Sequence, residues 1–215
     1  RAKTKSILLF LVALTGGWWF FDKLDVSAIH IPFYGAIHIG WLIVPLFMLV
    51  VISTANAVNI SDGLDGLAGG LATTAFGAYA IIAALEGRFG VAGFCLTVVG
   101  ALLSYTWFNI FPARFFMGDV GSFALGTALG VVAMVTDTVL ILPIIGLVFV
   151  VEAGSSLLQI YSKKLRHGKK IFKIAPIHHH FEASGWPETK VTMRFWIVGQ
   201  ICAVLGILVY LIGKK

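Results

Sequence analysis

Four side chains in "NAVNISDGLDG", Asn56, Asn59, Asp62 and Asp65, recur every third residue. Residues three apart lie on one helix face, but the stripe drifts by about 60° per step. All four can share one ligand only if the helix breaks, and Gly63 and Gly66 are placed to break it. Asp62 could instead cap the apolar run that starts at Leu67. A cap needs one aspartate, whereas two Asn and two Asp at the end of an apolar run are costly, so the spacing favours a binding or catalytic role. The aspartate spacing is wrong for an EF-hand, and no glutamate closes the loop. In "FFMGDVGS", Asp119 stands beside Gly118 at the start of a helical pattern that continues through Gly121 and Ser122. A carboxylate at a glycine-flanked helix start suits Mg²⁺ held together with phosphates; simple charge complementation of the helix end is the competing reading. Phe115 and Phe116 either stack on a base or rest in the membrane interface.

The third stretch is "KIAPIHHHFEASGWPETK", with His178, His179 and His180 in a row. Three consecutive side chains face different ways on either a helix or a strand. Zinc sites on one element space their ligands by three or four residues, so zinc is disfavoured. Pro176 speaks against helix there, and the expectation is an extended segment offering imidazole donors to an anionic ligand. Histidines that merely shape a loop are the alternative. The basic run "YSKKLRHGKKIFK" fixes membrane orientation, attracts anionic lipid and nucleotide phosphates, or does both. Glu152 lies alone in an apolar run, where a lone charge is either functional or paired, and the sequence does not say which.

These motifs need elements to hold them. The chain has 215 residues, 59% hydrophobic and only 12% charged, with a mean hydropathy of +0.94; soluble domains are about a quarter charged. Seven apolar runs, roughly 6–21, 39–58, 67–85, 91–111, 120–136, 138–161 and 195–212, approach the length of about twenty residues that crosses a bilayer as a helix. Alternating short strands of a closed barrel are missing. The fold class is therefore an all-α polytopic membrane protein of about seven transmembrane helices. "KLDVSAIHIPFYGAIHIGW", with Pro32 and Gly35, reads as a small extracytoplasmic β-hairpin.

With Arg1 on the cytoplasmic side, twelve Lys and Arg fall in inner segments and four, Lys23, Arg88, Lys214 and Lys215, in outer ones. All three polar motifs then lie on the cytoplasmic face, which argues against a transporter, whose site sits near the midplane. Gly126 and Gly130 form a small-xxx-small pair that marks a close helix contact; packing within the chain is favoured, and a homodimer stays open. Cys95 and Cys202 make no disulfide framework.

Together, "NAVNISDGLDGLAGG", "FFMGDVGS" and "PIHHHFEASGWPETKVTMRFWIVG" resemble the phospho-N-acetylmuramoyl-pentapeptide transferase family, within the polyprenyl-phosphate N-acetylhexosamine-1-phosphate transferases. The first two motifs are common to that superfamily. The histidine motif is specific to the muramoyl-pentapeptide type and argues against a sister transferase using another UDP-sugar.

The resemblance implies a bacterial inner-membrane enzyme with its active site on the cytoplasmic face. It would transfer phospho-MurNAc-pentapeptide from UDP-MurNAc-pentapeptide to undecaprenyl phosphate, forming lipid I and UMP with Mg²⁺. The bilayer is its partner, and no nucleic acid is. By matching motif, Asp119 resembles the Mg²⁺-binding aspartate, and Asp62 and Asp65 the active-site loop aspartates, with Asn56 and Asn59 beside them. Phe116 resembles the aromatic that stacks on uracil, and Asn109 and Gln159 resemble uridine-pocket residues. His178 and His179 resemble histidines of the nucleotide and phosphate site; His180 matches the motif without a defined role. The family's upstream Asp-Asp pair has no counterpart here. The expectation is a single, N-terminally truncated catalytic domain over 1–215, matching the last seven of ten family helices and inactive by itself.

Overall fold

The structure, a computed structural model, describes residues 2–213; Arg1, Lys214 and Lys215, which enter the charge count, lie outside the described residues. Helix α1 (Ala2–Asp22) leads into an antiparallel hairpin, β1 (Ala28–Ile31) and β2 (Gly35–His38), with Ala28 opposite His38 and Ile31 opposite Gly35. Pro32 opens its turn, and Phe33 and Gly35 complete it at φ of 68° and 100°, the left-handed region that glycine enters without strain. The hairpin expected around Pro32 and Gly35 is therefore present. A single 3₁₀ turn, Gly40–Leu42, then enters α2 (Ile43–Ser61). The rest is helical: α3 (Leu67–Leu85), α4 (Phe89–Asn109), α5 (Gly118–Val135), α6 (Leu142–Ile145), α7 (Leu147–Leu165), α8 (Ile177–Glu182) and α9 (Glu188–Gly213).

Among the described residues, six helices are long and apolar enough to cross a membrane: α1 to α5, the second with its 3₁₀ entry, and α9. That is one fewer than the seven apolar runs. The run at 138–161 is broken at Gly146, which separates α6 from α7. Helix α7 also runs on through Lys163 and Lys164 and buries Glu152, Ser155 and Gln159 on one side. In a membrane protein apolar residues face lipid as well as core, so hydropathy alone does not show where such a run breaks. The outward faces are accordingly oily: Trp107 is 76% exposed and Leu96, Leu103 and Ile201 more than half exposed.

Helix α2 is central, packed against α1, α5 and α7, while α3 packs between α4 and α9. The α2–α5 contact depends on absent side chains. A Cβ on Gly126 would run into the Thr54 carbonyl oxygen and stand 2.6 Å from Ala55 Cα, and one on Gly130 would stand 3.2 Å from Val51 Cα. The small-residue pair thus mediates packing within the chain. Gly126→Val should lower stability by about 1–3 kcal/mol or more, because backbone rather than a flexible side chain blocks it. The check is the unfolding temperature in detergent, with Gly100→Val, which meets open space, as control; equal temperatures for the two would refute the close contact.

The polar residues are not confined to one end of the bundle. At the hairpin end, Tyr210 Oη donates to Glu86 Oε1 at 3.1 Å, and Arg88 pairs with Glu86 at 3.0 Å. Nearby, the His30 amide donates to Asp137 Oδ1 at 2.9 Å, and the Phe33 amide to the Gly213 carbonyl at 3.1 Å. The three polar motifs read from the sequence meet at the other end, through Asn59 with Asp119 and His178 against Gly63, so this hairpin-end cluster is an addition to that reading. Its groups are scattered singly along the chain and converge only when the hairpin folds onto the ends of α5 and α9.

Candidate active site

At the opposite end, the helix carrying Asn56 and Asn59 stops at Ser61, and the chain turns through Asp62–Gly66 before α3. Asp62 occupies the C-terminal cap of α2, and Gly66, at φ 74°, precedes α3 without any side-chain cap bond. The break placed at the glycines is thus observed, and Asp62 does not cap the following helix. Gly66 is constrained on every side. Its amide donates to Asn109 Oδ1 at 3.0 Å, its carbonyl accepts from Trp196 Nε1 at 3.1 Å, and a Cβ would press on the Trp196 ring at 3.3 Å.

The turn is built into its surroundings through Asp65. Asp65 Oδ2 accepts from the Ala113 amide at 2.9 Å, its own amide donates to Glu188 Oε1 at 2.6 Å, and its carbonyl accepts from Thr192. Asn109 is buried and bridges the same two loops, donating from Nδ2 to the Phe115 carbonyl at 2.9 Å while accepting from Gly66. Each lost partner of a buried polar group costs about 1–3 kcal/mol, so this lattice holds the 62–66 turn against the 110–117 segment. Among the described residues the Asp62 side chain makes no bond of this kind, while its amide donates to the Asn59 carbonyl at 3.3 Å. Half-buried in the turn, its carboxyl is pushed up to about 6 by burial, because the charged form loses hydration.

Asp119 lies in the first turn of α5. Asn59 Nδ2 donates to Asp119 Oδ1 and to Ser122 Oγ, both at 2.9 Å. The other carboxylate oxygen pairs with the Lys5 ammonium from α1. These groups line a cavity of about 360 Å³ between α1, α2 and α5, together with Ser6, Asn56 and Phe123. Asn56 borders it while donating to the Ile52 carbonyl on its own helix at 2.7 Å. A larger groove of about 740 Å³ starts at the same Lys5 and Asp119. It runs between α1, α4 and α5 past Phe94 and Phe123 to Val135, lined almost entirely by apolar side chains.

The three histidines face different ways, as the spacing requires, but not on an extended strand: they form the short helix α8. The correction has a simple cause. Pro176 sits at the N-cap with ψ 173°, and a proline excludes helix for the residue before it while starting one after it. His178 is fully buried, with Nδ1 2.7 Å from Glu152 Oε2. His179 Nδ1 lies 2.6 Å from Glu182 Oε2, and His180 Nδ1 accepts from the Lys173 amide at 3.1 Å. Gln159 is also engaged: Oε1 accepts from the Ile171 and Phe172 amides at 3.0 and 3.1 Å, and Nε2 donates to the Phe172 carbonyl at 2.9 Å. It clamps the basic segment onto α7. Phe116 projects outward, 71% exposed, where a planar ligand can reach it. Lys5, Glu188, Trp196 and the Glu152 pairing were not anticipated. Glu188, an acid following Pro187 at a helix start, and Glu152, a lone acid in an apolar run, offered the local signals among them.

Among the described residues no three His, Cys, Asp or Glu side chains converge into a metal cage. The donor set still suits Mg²⁺, which is commonly held by one or two carboxylates completed by substrate phosphates and water. Asp119 is half-exposed and already neutralised by a cationic group, Lys5.

Six helices able to cross a membrane, with Asp119, Asn56, Asn59 and Lys5 around a cavity that adjoins an apolar groove, define a membrane-embedded protein with a polar site beside an apolar one. The glycosyl transferase family 4 profile matches residues 1–137, and the chain belongs to that family. The match includes Asp62, Asp65 and Asp119 and ends before Glu152 and the histidines. The chain is 49% identical over 191 residues to the phospho-N-acetylmuramoyl-pentapeptide-transferase of Chloroflexus aurantiacus, covering 86% of this chain and 52% of the relative. Proteins of the same name from Geobacillus thermodenitrificans and Methylacidiphilum infernorum are 46% and 45% identical, over 84% and 80% of this chain and 56% and 50% of theirs. The chain spans about half the length of the curated relatives it matches.

Proposed function

We propose that this chain forms the nucleotide-facing and lipid-facing part of a phospho-N-acetylmuramoyl-pentapeptide transferase in the bacterial inner membrane, active on the cytoplasmic face. The donor would be UDP-MurNAc-pentapeptide and the acceptor undecaprenyl phosphate, with lipid I and UMP as products in peptidoglycan synthesis. The observation that supports this best is the meeting of a polar cavity and an apolar groove at Asp119 and Lys5. The apolar lining of the groove suits part of a polyprenyl chain, and its phosphate would then lie against the polar groups.

Asp119 would hold Mg²⁺, which when bound supplies charge neutralisation at the diphosphate. The protein's own residues position the reactants, which is most of what phosphoryl transfer requires. Asn59 orients Asp119 through its Nδ2. Lys5 neutralises that carboxylate and, once released from it, offers an ammonium to a phosphate oxygen. Asn109 and Asp65 hold the 62–66 turn and the 110–117 segment together, so that Asp62 and the exposed Phe116 ring border one region. Gln159 and His180 anchor the basic segment, whose lysines draw anions to this face.

The test is to supply the full-length protein, in detergent with Mg²⁺, with the UDP-linked donor and undecaprenyl phosphate, and to assay UMP. UMP release that depends on the lipid phosphate, with a lipid-linked sugar formed in equal amount, is the expected result. Transport of the donor across a vesicle membrane without cleavage would overturn the reading.

A further inference from the structure

Glu152 and His178 come from different helices, α7 and α8, and meet at 2.7 Å with neither side chain exposed beyond 1%. Among the described residues, each keeps one buried polar atom without a hydrogen-bond partner, Glu152 Oε1 and His178 Nε2. Leaving such atoms unpaired is costly, and each instance calls for an explanation; here the geometry offers one. Nε2 points at Gly63: a Cβ there would overlap it, with Cε1 only 2.9 Å away. The ring therefore sits directly beneath the turn that carries Asp62 and Asp65, where any side chain at position 63 would displace it.

We infer that Glu152 is a positioning residue: its buried carboxylate accepts the Nδ1 proton of His178, fixes the ring and tautomer, and turns Nε2 toward the 62–66 turn. The inference rests on the transferase reading for its consequence in turnover, but the pairing itself does not. With Nδ1–H committed to Glu152, Nε2 is the ring nitrogen left to face the turn. It presents a lone pair when the ring is neutral and a donor when the ring is protonated. Without Glu152 the tautomer is unconstrained, and the ring can rotate away from Gly63.

In the full-length protein, Glu152→Ala should lower kcat/KM by roughly ten- to a hundredfold, the loss seen when the carboxylate behind a metal-ligating histidine is removed. Glu152→Gln, which keeps the shape and can still accept at Oε1, should lose less and covers the case in which the alanine variant fails to fold. In a His178→Gln background, Glu152→Ala should add no further loss, since coupled residues do not sum. Selective ¹⁵N labelling of histidine should show His178 as the Nδ1–H tautomer in wild type and an altered ring signal in Glu152→Ala or Glu152→Gln. Additive losses in the double variant, or unchanged kcat/KM per folded molecule with only a lower unfolding temperature, would overturn the positioning role. If wild-type protein releases no UMP, the transferase reading fails, and the ¹⁵N spectrum alone decides the pairing: an unchanged His178 signal in both variants refutes it.

Discussion

Replacing Asp119 with asparagine should lower turnover of the full-length protein by on the order of a thousandfold while leaving insertion and folding intact. The magnitude follows from the stabilisation of several kcal/mol that a metal ion contributes at a developing phosphoryl charge, at about 1.4 kcal/mol per tenfold in rate. The substitution is mild for the fold. An asparagine Oδ1 can still accept from Asn59 Nδ2, so the α2–α5 tie at this end persists. The Lys5 contact is lost, but both side chains are about half exposed, and exposed ion pairs contribute little. Activity should therefore collapse with the unfolding temperature nearly unchanged. The decisive measurement is turnover across an Mg²⁺ titration. Wild-type-like rates at limiting Mg²⁺ would remove Asp119 from the metal role. Lys5→Met is an informative companion. If Lys5 holds the place of a cation in the resting site, its loss should lower the Mg²⁺ concentration needed for half-maximal binding, even where it slows turnover.

How much of this site was legible beforehand depends on the range of the contact. The break at 62–66 was readable because glycine has a conformational signature that is local. So was the hairpin, through Pro32 and Gly35. The Gly126–Gly130 contact was readable as a close approach, although only the packing shows that α2 is the partner. The bonds that organise the site span much longer stretches of chain. Asp119 meets Lys5 across 114 residues, Thr192 meets Asp65 across 127, and His178 meets Glu152 across 26. No periodicity encodes such pairs, and in a lipid-facing helix the apolar residues do not even mark which side is inward. Glu152 illustrates the limit: a lone acid in an oily run could be recognised as paired, but not with what. Asn109 and Gln159 show the converse. Their motif resemblance suggested ligand contacts, while the folded chain shows their amides committed to holding loops, a role that sequence spacing could not reveal.

The second large effect concerns Asp62, whose carboxylate has no hydrogen-bond partner among the described residues. Burial raises its carboxyl to about 6, so it keeps its proton to a higher pH than an exposed aspartate would, and its ionised fraction falls about tenfold per pH unit below that value. A base poised near neutrality is what proton removal from an acceptor phosphate would use. The expected profile is a rate that falls on acidification below about pH 6. Asp62→Asn should lower the rate by on the order of 10²–10⁴, the usual contribution of general acid–base catalysis, and abolish that acid limb. Loss of fold is not the expected route. Because the folded pKa is raised, the aspartate favours folding most below its ordinary value of 3.8, and that contribution is lost as pH rises through about 6. At pH 7 the wild-type turn therefore bears a buried charge that asparagine lacks, and the variant should unfold at the same temperature or higher. A competing source of the limb is the lipid phosphate itself, whose second ionisation also lies near 6. That source predicts the same limb in wild type and Asp62→Asn. An intact limb in the variant, at a rate within about tenfold of wild type, would rule out Asp62 as the base.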